Sequence, residues 1–178
     1  IPKASAAKVI VFNIIPDYDL NIMLPNQTLS DISINILNKL GKILAREKPN
    51  LVLVHGDTPT SFISALVAFY FRIPVAHVEA GLRTYKKYDP FPEEMNRQLI
   101  DVLCDYYFAP TTHAKENLLK EGKSGEKIWV TGNTVIDALL SVAKKDYPFE
   151  SQELAKVDFS QKRIILLTCH RRESWGKR

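Results

Sequence analysis

Four separated segments carry acids, histidines and basic residues: His55-Gly56-Asp57, His77-Val78-Glu79-Ala80-Gly81-Leu82-Arg83-Thr84, Pro92-Glu93-Glu94-Met95-Asn96-Arg97 and Thr168-Cys169-His170-Arg171-Arg172-Glu173. Carboxylates and histidine are the side chains that give and take protons in enzymes, and histidine titrates near neutrality when unperturbed. Two of the segments close apolar runs, Asn50 to Val54 before His55 and Pro74 to Val78 before Glu79. Such runs read as buried strands, and the carboxyl ends of parallel strands are where an open α/β sheet receives its ligand.

Each residue also has a plainer use. Asp57 stands at the mouth of a predicted helix, where an aspartate often serves as the N-cap. Glu79 can pair with Arg83, while the small Ala80-Gly81 that follows lets a ligand or another backbone come close. Glu93 and Glu94 suit the first turn of a helix, where the dipole favours acids. His170 sits beside Arg171 and Arg172, a basic cluster with an equally ordinary place on a surface. Gly132-Asn133-Thr134 can cradle a phosphate at a helix N-terminus or simply cap that helix. His55, His77 and His113 lack HExxH or i,i+4 spacing, so no metal site is expected.

The elements that must position these residues alternate between strand and helix. Leu29, Ile32, Ile36, Leu37, Leu40, Ile43 and Leu44 recur at helical spacing after a Thr28 or Ser30 cap, and Pro49 ends the segment. Then come a strand over 51–54, a helix from about Thr60 to Phe71, a strand over 75–78, a helix over 93–103 and a strand over 106–109. A short helix after Thr112, a strand over 128–130 and a helix from Val135 to about Lys144 follow. Alternation of this kind predicts parallel strands joined by right-handed crossovers. Residues 146–159, with a proline and several acids, read as a linker, and 164–167 as another buried strand.

The 178 residues are 46% hydrophobic, enough for one substantial core, and the net charge of +4 comes from interspersed lysines, arginines and acids. No nucleic-acid footprint is expected from that pattern. Cys104 and Cys169 stand far apart without CxxC spacing and fit a reducing compartment as buried or half-buried thiols. The opening residues lack the layout of a signal peptide and no apolar run approaches the roughly 20 residues of a membrane span, so a cytoplasmic location is expected. A first residue other than Met points to a chain that begins inside a longer one.

In their order, and with Pro16-Asp17-Tyr18-Asp19-Leu20, Gln27-Thr28-Leu29-Ser30 and Thr131-Gly132-Asn133-Thr134-Val135-Ile136-Asp137 between them, these segments resemble the non-hydrolysing UDP-N-acetylglucosamine 2-epimerases. The resemblance runs from about Asp17 to Arg178. It implies an α/β fold with Rossmann-like parallel sheets flanked by helices in the GT-B arrangement. No Gly-Thr-Arg-Pro-Glu type loop precedes the first helix, and the chain stops soon after the expected first strand of a second domain. The implied organisation is a partial N-terminal Rossmann-like domain over 1–145, a linker over 146–160 and the start of a nucleotide-binding domain over 161–178.

The same resemblance implies interconversion of UDP-N-acetylglucosamine and UDP-N-acetylmannosamine, a precursor of surface polysaccharide, through elimination and re-addition of UDP by way of 2-acetamidoglucal. No redox cofactor is needed on this route. Asp57, Glu79, Glu93 and His170 fall on the catalytic positions of that family, with Asp57, Glu79 and His170 also contacting substrate; Glu94, adjacent to Glu93, competes for its place. Ser174 stands where Asn is frequent in the family. A homodimer is expected, and the chain taken by itself is expected to be inactive. The rivals are a hydrolysing epimerase that releases N-acetylmannosamine, a GT-B glycosyltransferase, and a catalytically incomplete fragment with a structural or dimerising role.

Overall fold

A computed structural model describes residues 14–143, 149–161 and 163–167, in two compact units, Ile1–Asp137 and Ala138–Arg178. The apolar stretch Val9 to Phe12 and the segment around His170 lie outside the described residues.

Capping decides where the first helix begins. Thr28 Oγ1 accepts from the Asp31 N–H while the Asp31 carboxylate takes the Thr28 N–H, a reciprocal box that starts α1 (Leu29–Glu47). Lys48, left-handed at φ 45°, and Pro49 end it. The branched aliphatic run that follows becomes β1 (Val52–His55), and α2 (Pro59–Tyr70), β2 (Val75–Val78), α3 (Glu93–Leu103), β3 (Tyr106–Ala109), α4 (Thr112–Lys120) and β4 (Ile128–Val130) complete the alternation.

The four strands are parallel and lie in chain order, with Val54 opposite His77, Val78 opposite Phe108 and Phe108 opposite Trp129. Right-handed crossovers between strands in this order carry every connecting helix to one face of the sheet. Burial follows that geometry. Val54, Val75, Tyr107 and Ile128 are buried, while Leu53, Tyr106 and Trp129, which alternate with them, are exposed. Ile36 and Leu44 of α1, Ile63 and Val67 of α2, Ile100 of α3 and Leu118 of α4 complete the core. Each such side chain contributes roughly 2 kcal/mol relative to exposure. This is the Rossmann-like parallel α/β architecture that the alternation predicts.

The helix α5 (Thr134–Val142) runs across the boundary between the units. In the second unit α6 (Gln152–Ala155) starts on Ser151, and Phe149 stacks on Phe159 at 5.2 Å. Residues 164–167, expected as a buried strand, form none, and Ile165, Leu166 and Leu167 are at least 80% exposed. A strand exists only through a neighbour's ladder, and this apolar run has no such neighbour among the described residues. Among the described residues, no helix is long and apolar enough to cross a membrane.

Candidate active site

At the carboxyl end of β1 the chain turns at Gly56, φ 71°, whose N–H still donates to Val78 O at 3.0 Å and lengthens the ladder by one rung. Thr58, not Asp57, caps α2: its Oγ1 accepts the Ser61 N–H at 3.2 Å and Pro59 occupies the first helical position. Asp57 is therefore free of the capping duty its position allowed. Its carboxylate is ion-paired with the Arg97 guanidinium of α3, and its carbonyl accepts from the Asn96 amide at 2.8 Å.

Glu79 leaves β2 at φ 75°, a left-handed backbone that costs a residue with a Cβ roughly 1 kcal/mol. The turn is held by two N–H groups, those of Glu79 and Ala80, which both donate to Phe108 O. Its side chain, 28% exposed, accepts from the Asn133 amide at 3.3 Å and lies 3.8 Å from His55 Nε2. Thr134 Oγ1 is 3.3 Å from the same His55 nitrogen. A Cβ placed on Gly56 would stand 3.4 Å from Glu79 Oε2, so the carboxylate lies close over the peptide that precedes Asp57.

Arg83, the partner open to Glu79 in the sequence, is taken elsewhere. Its buried guanidinium bonds Asp101 at 2.7 Å and Glu121 through two 2.7 Å contacts. Burial opposes its charge, but Glu121 and Asp101 outweigh that and hold it more firmly protonated than usual. Gly81, φ 82°, admits a neighbouring backbone: an added Cβ would come within 2.2 Å of Ala114 O on α4, and the Asn117 amide bonds Gly81 O at 3.0 Å.

The adjacent glutamates have different surroundings. Glu94 is fully buried and accepts from the N–H groups of Thr84 and Tyr85, both at 3.0 Å, and from the Gln98 amide at 2.8 Å. Burial pushes its carboxyl upward, but these donors prevail and hold it below the usual carboxylate range. Glu94 thus anchors the loop after Thr84, whereas Glu93 is half-buried at the start of α3. His113 lies 3.7 Å from Glu116, away from the His55 cluster, and His170 lies outside the described residues. Cys104 is buried, which pushes its thiol well above the ordinary range, where it is protonated and inert.

The sheet end thus gathers two carboxylates held in different ways, one against a fixed cation and one against an amide and an imidazole. That arrangement suits proton transfer to and from a bound molecule. The roles of Arg97, Asn133 and His55 were not drawn from the sequence, although all three lie inside the quoted segments. Arg97 is 40 residues from Asp57 and Asn133 is 54 from Glu79, so no local spacing reveals either contact.

The family profile described as UDP-N-acetylglucosamine 2-epimerase matches residues 4–178. The chain is 51% identical over 175 residues to a UDP-N-acetylglucosamine 2-epimerase of Campylobacter jejuni, covering 94% of this chain and 46% of that protein. A Listeria monocytogenes crystal structure from this group superposes with TM-score 0.90 at 48% identity, over 99% of this chain and 46% of that one. The Neisseria meningitidis UDP-GlcNAc 2-epimerase bound to UDP-GlcNAc aligns at TM-score 0.73 and 54% identity, over 77% of this chain and 37% of that one. The fold so shared is of the GT-B type. The chain spans 43–46% of the length of the curated relatives it matches. With a profile match over nearly its whole length, the chain belongs to the UDP-N-acetylglucosamine 2-epimerase family.

Proposed function

We propose that this chain supplies the sheet-end half of a non-hydrolysing UDP-N-acetylglucosamine 2-epimerase site, acting on UDP-N-acetylglucosamine to give UDP-N-acetylmannosamine for surface polysaccharide. The observation that carries this is the placement of Glu79. It keeps a strained backbone at a strand end, its carboxylate is partly open, and the arginine available to neutralise it is committed to Asp101 and Glu121. Strain of that sort accompanies functional positions.

The carbon-2 proton of the sugar is not acidified by a carbonyl, so its removal is coupled to departure of UDP. A base takes that proton, the bond from carbon 1 to the diphosphate oxygen breaks with its electron pair leaving on UDP, and 2-acetamidoglucal forms. UDP then returns to carbon 1 while an acid delivers a proton to the other face of carbon 2. Asp57, Glu79 and Glu93 are the proposed proton-transfer groups, with Asp57 and Glu79 also holding the sugar. His170 is proposed to contact substrate and serve in proton transfer or at the departing diphosphate, where donors stabilise developing charge. The protein is further proposed to act as a cytoplasmic homodimer.

The test is proton NMR of the intact protein with UDP-N-acetylglucosamine in D2O. Formation of the manno epimer with deuterium at carbon 2 and the UDP linkage retained is the expected result. Release of free N-acetylmannosamine and UDP would instead make the enzyme a hydrolysing one, and no exchange in folded protein would overturn the reading.

A further inference from the structure

One buried cluster outside the proposed chemistry ties the site to the body of the domain. His77 of β2 is completely buried. Its Nδ1 lies 2.6 Å from Asp101 Oδ1 on α3, and its Nε2 lies 2.9 Å from the carbonyl oxygen of Gly56. A carbonyl oxygen only accepts, so Nε2 carries the hydrogen of that bond. Asp101 also takes the Gly81 N–H at 3.1 Å and Arg83 at 2.7 Å. Burial opposes its charge, but the bond from His77 and the nearby Arg83 outweigh it and hold the carboxyl below the usual range.

The consequence falls on the peptide before Asp57. The N–H of Gly56 is bonded to Val78 O and its carbonyl to His77, so β2 fixes both of its polar atoms. Asp57 begins directly from that peptide, and its own carbonyl is taken by Asn96. We propose that His77 is a positioning residue that, by holding the Gly56 carbonyl, sets where the Asp57 carboxylate stands against the sugar. This role rests on the epimerase reading of Asp57.

Two substitutions separate positioning from mere support. In His77→Gln the amide nitrogen reaches the place of Nε2 and keeps a donor for Gly56, whereas in His77→Asn it reaches the place of Nδ1 and keeps only the bond to Asp101. The Asn variant is expected to lose about a hundredfold in kcat with KM little changed, the scale of a small misplacement of a catalytic group. The Gln variant recovers the larger part of that loss, although both melt below the unsubstituted protein. Equal kcat in the two variants would overturn the proposal. In the unsubstituted intact protein, NMR coupling across the hydrogen bond from His77 Nε2 to the Gly56 carbonyl carbon is expected, and its absence overturns the proposal whether or not epimerisation is seen. Coupling present in a protein without epimerase activity would place the failure in the functional reading.

Discussion

Arg97 reaches from α3 to hold the carboxylate of Asp57, which stands at the end of a strand 40 residues earlier. The pair is partly open, with the side chain of Asp57 30% exposed and that of Arg97 13%. Arginine stays charged under all ordinary conditions, so the cation here is permanent. Asp57 is thereby oriented by a side chain whose only other short-range ionic neighbour among the described residues is Glu94, at 3.7 Å.

Asp57→Asn and Glu79→Gln are each expected to lower turnover of the intact protein by roughly a hundredfold or more. Circular dichroism should be unchanged, because the amides keep the shape and part of the hydrogen bonding. His170→Asn should behave alike in turnover. Loss of folded structure in all three would remove the basis for the assignment.

Glu79→Gly separates strain from chemistry. Removing the side chain relieves a left-handed backbone but frees the unfolded chain, two effects of about 1 kcal/mol and opposite sign. Thermal melting should therefore move by only a few degrees while epimerisation is lost. A large fall in melting temperature would mean that the Asn133 contact supports the fold.

The neighbouring glutamates should part cleanly. Glu94→Ala removes the buried carboxylate that takes the Thr84 and Tyr85 N–H groups and the Gln98 amide, a loss of roughly 2 kcal/mol, read by denaturant unfolding. Glu93→Gln should leave stability within about 0.5 kcal/mol and lower turnover. The reverse pattern would move the third acid to Glu94.

Acid should unfold the protein through Glu94 and Asp101. Both carboxyls lie below their ordinary values in the folded state, so the unfolded chain binds more protons as pH falls through the ordinary carboxylate range. Their contribution is complete above that range, declines as pH falls through it, and is gone below the folded values. Chemical denaturation at a series of pH values should show this slope, and Asp101→Asn, although less stable at neutrality, should show a shallower one.

The strands at 75–78, 106–109 and 128–130 and the helix at 93–103 lie where apolar patterning predicts them. The expected starts of β1 and α2 are each one residue out; the Thr58-Pro59 cap moves the helix forward. Periodicity reports burial, and these elements are buried in a regular way. Residues 164–167 show the converse, since an apolar run becomes a strand only when something pairs with it. Asp57 and Glu79 were legible as strand-end carboxylates, but their partners were not. Arg97, Asn133 and the His77–Asp101 bond are products of three-dimensional closure and leave no spacing in the chain.

Gly81 has a genetic corollary. Every single-base missense change of a glycine codon installs a side chain, and the smallest already brings a carbon to 2.2 Å from the Ala114 carbonyl. Such a change forces α4 away from the end of β2 and breaks the Asn117 bond that joins them. A missense change at this codon is therefore expected to be poorly tolerated unless α4 shifts in compensation.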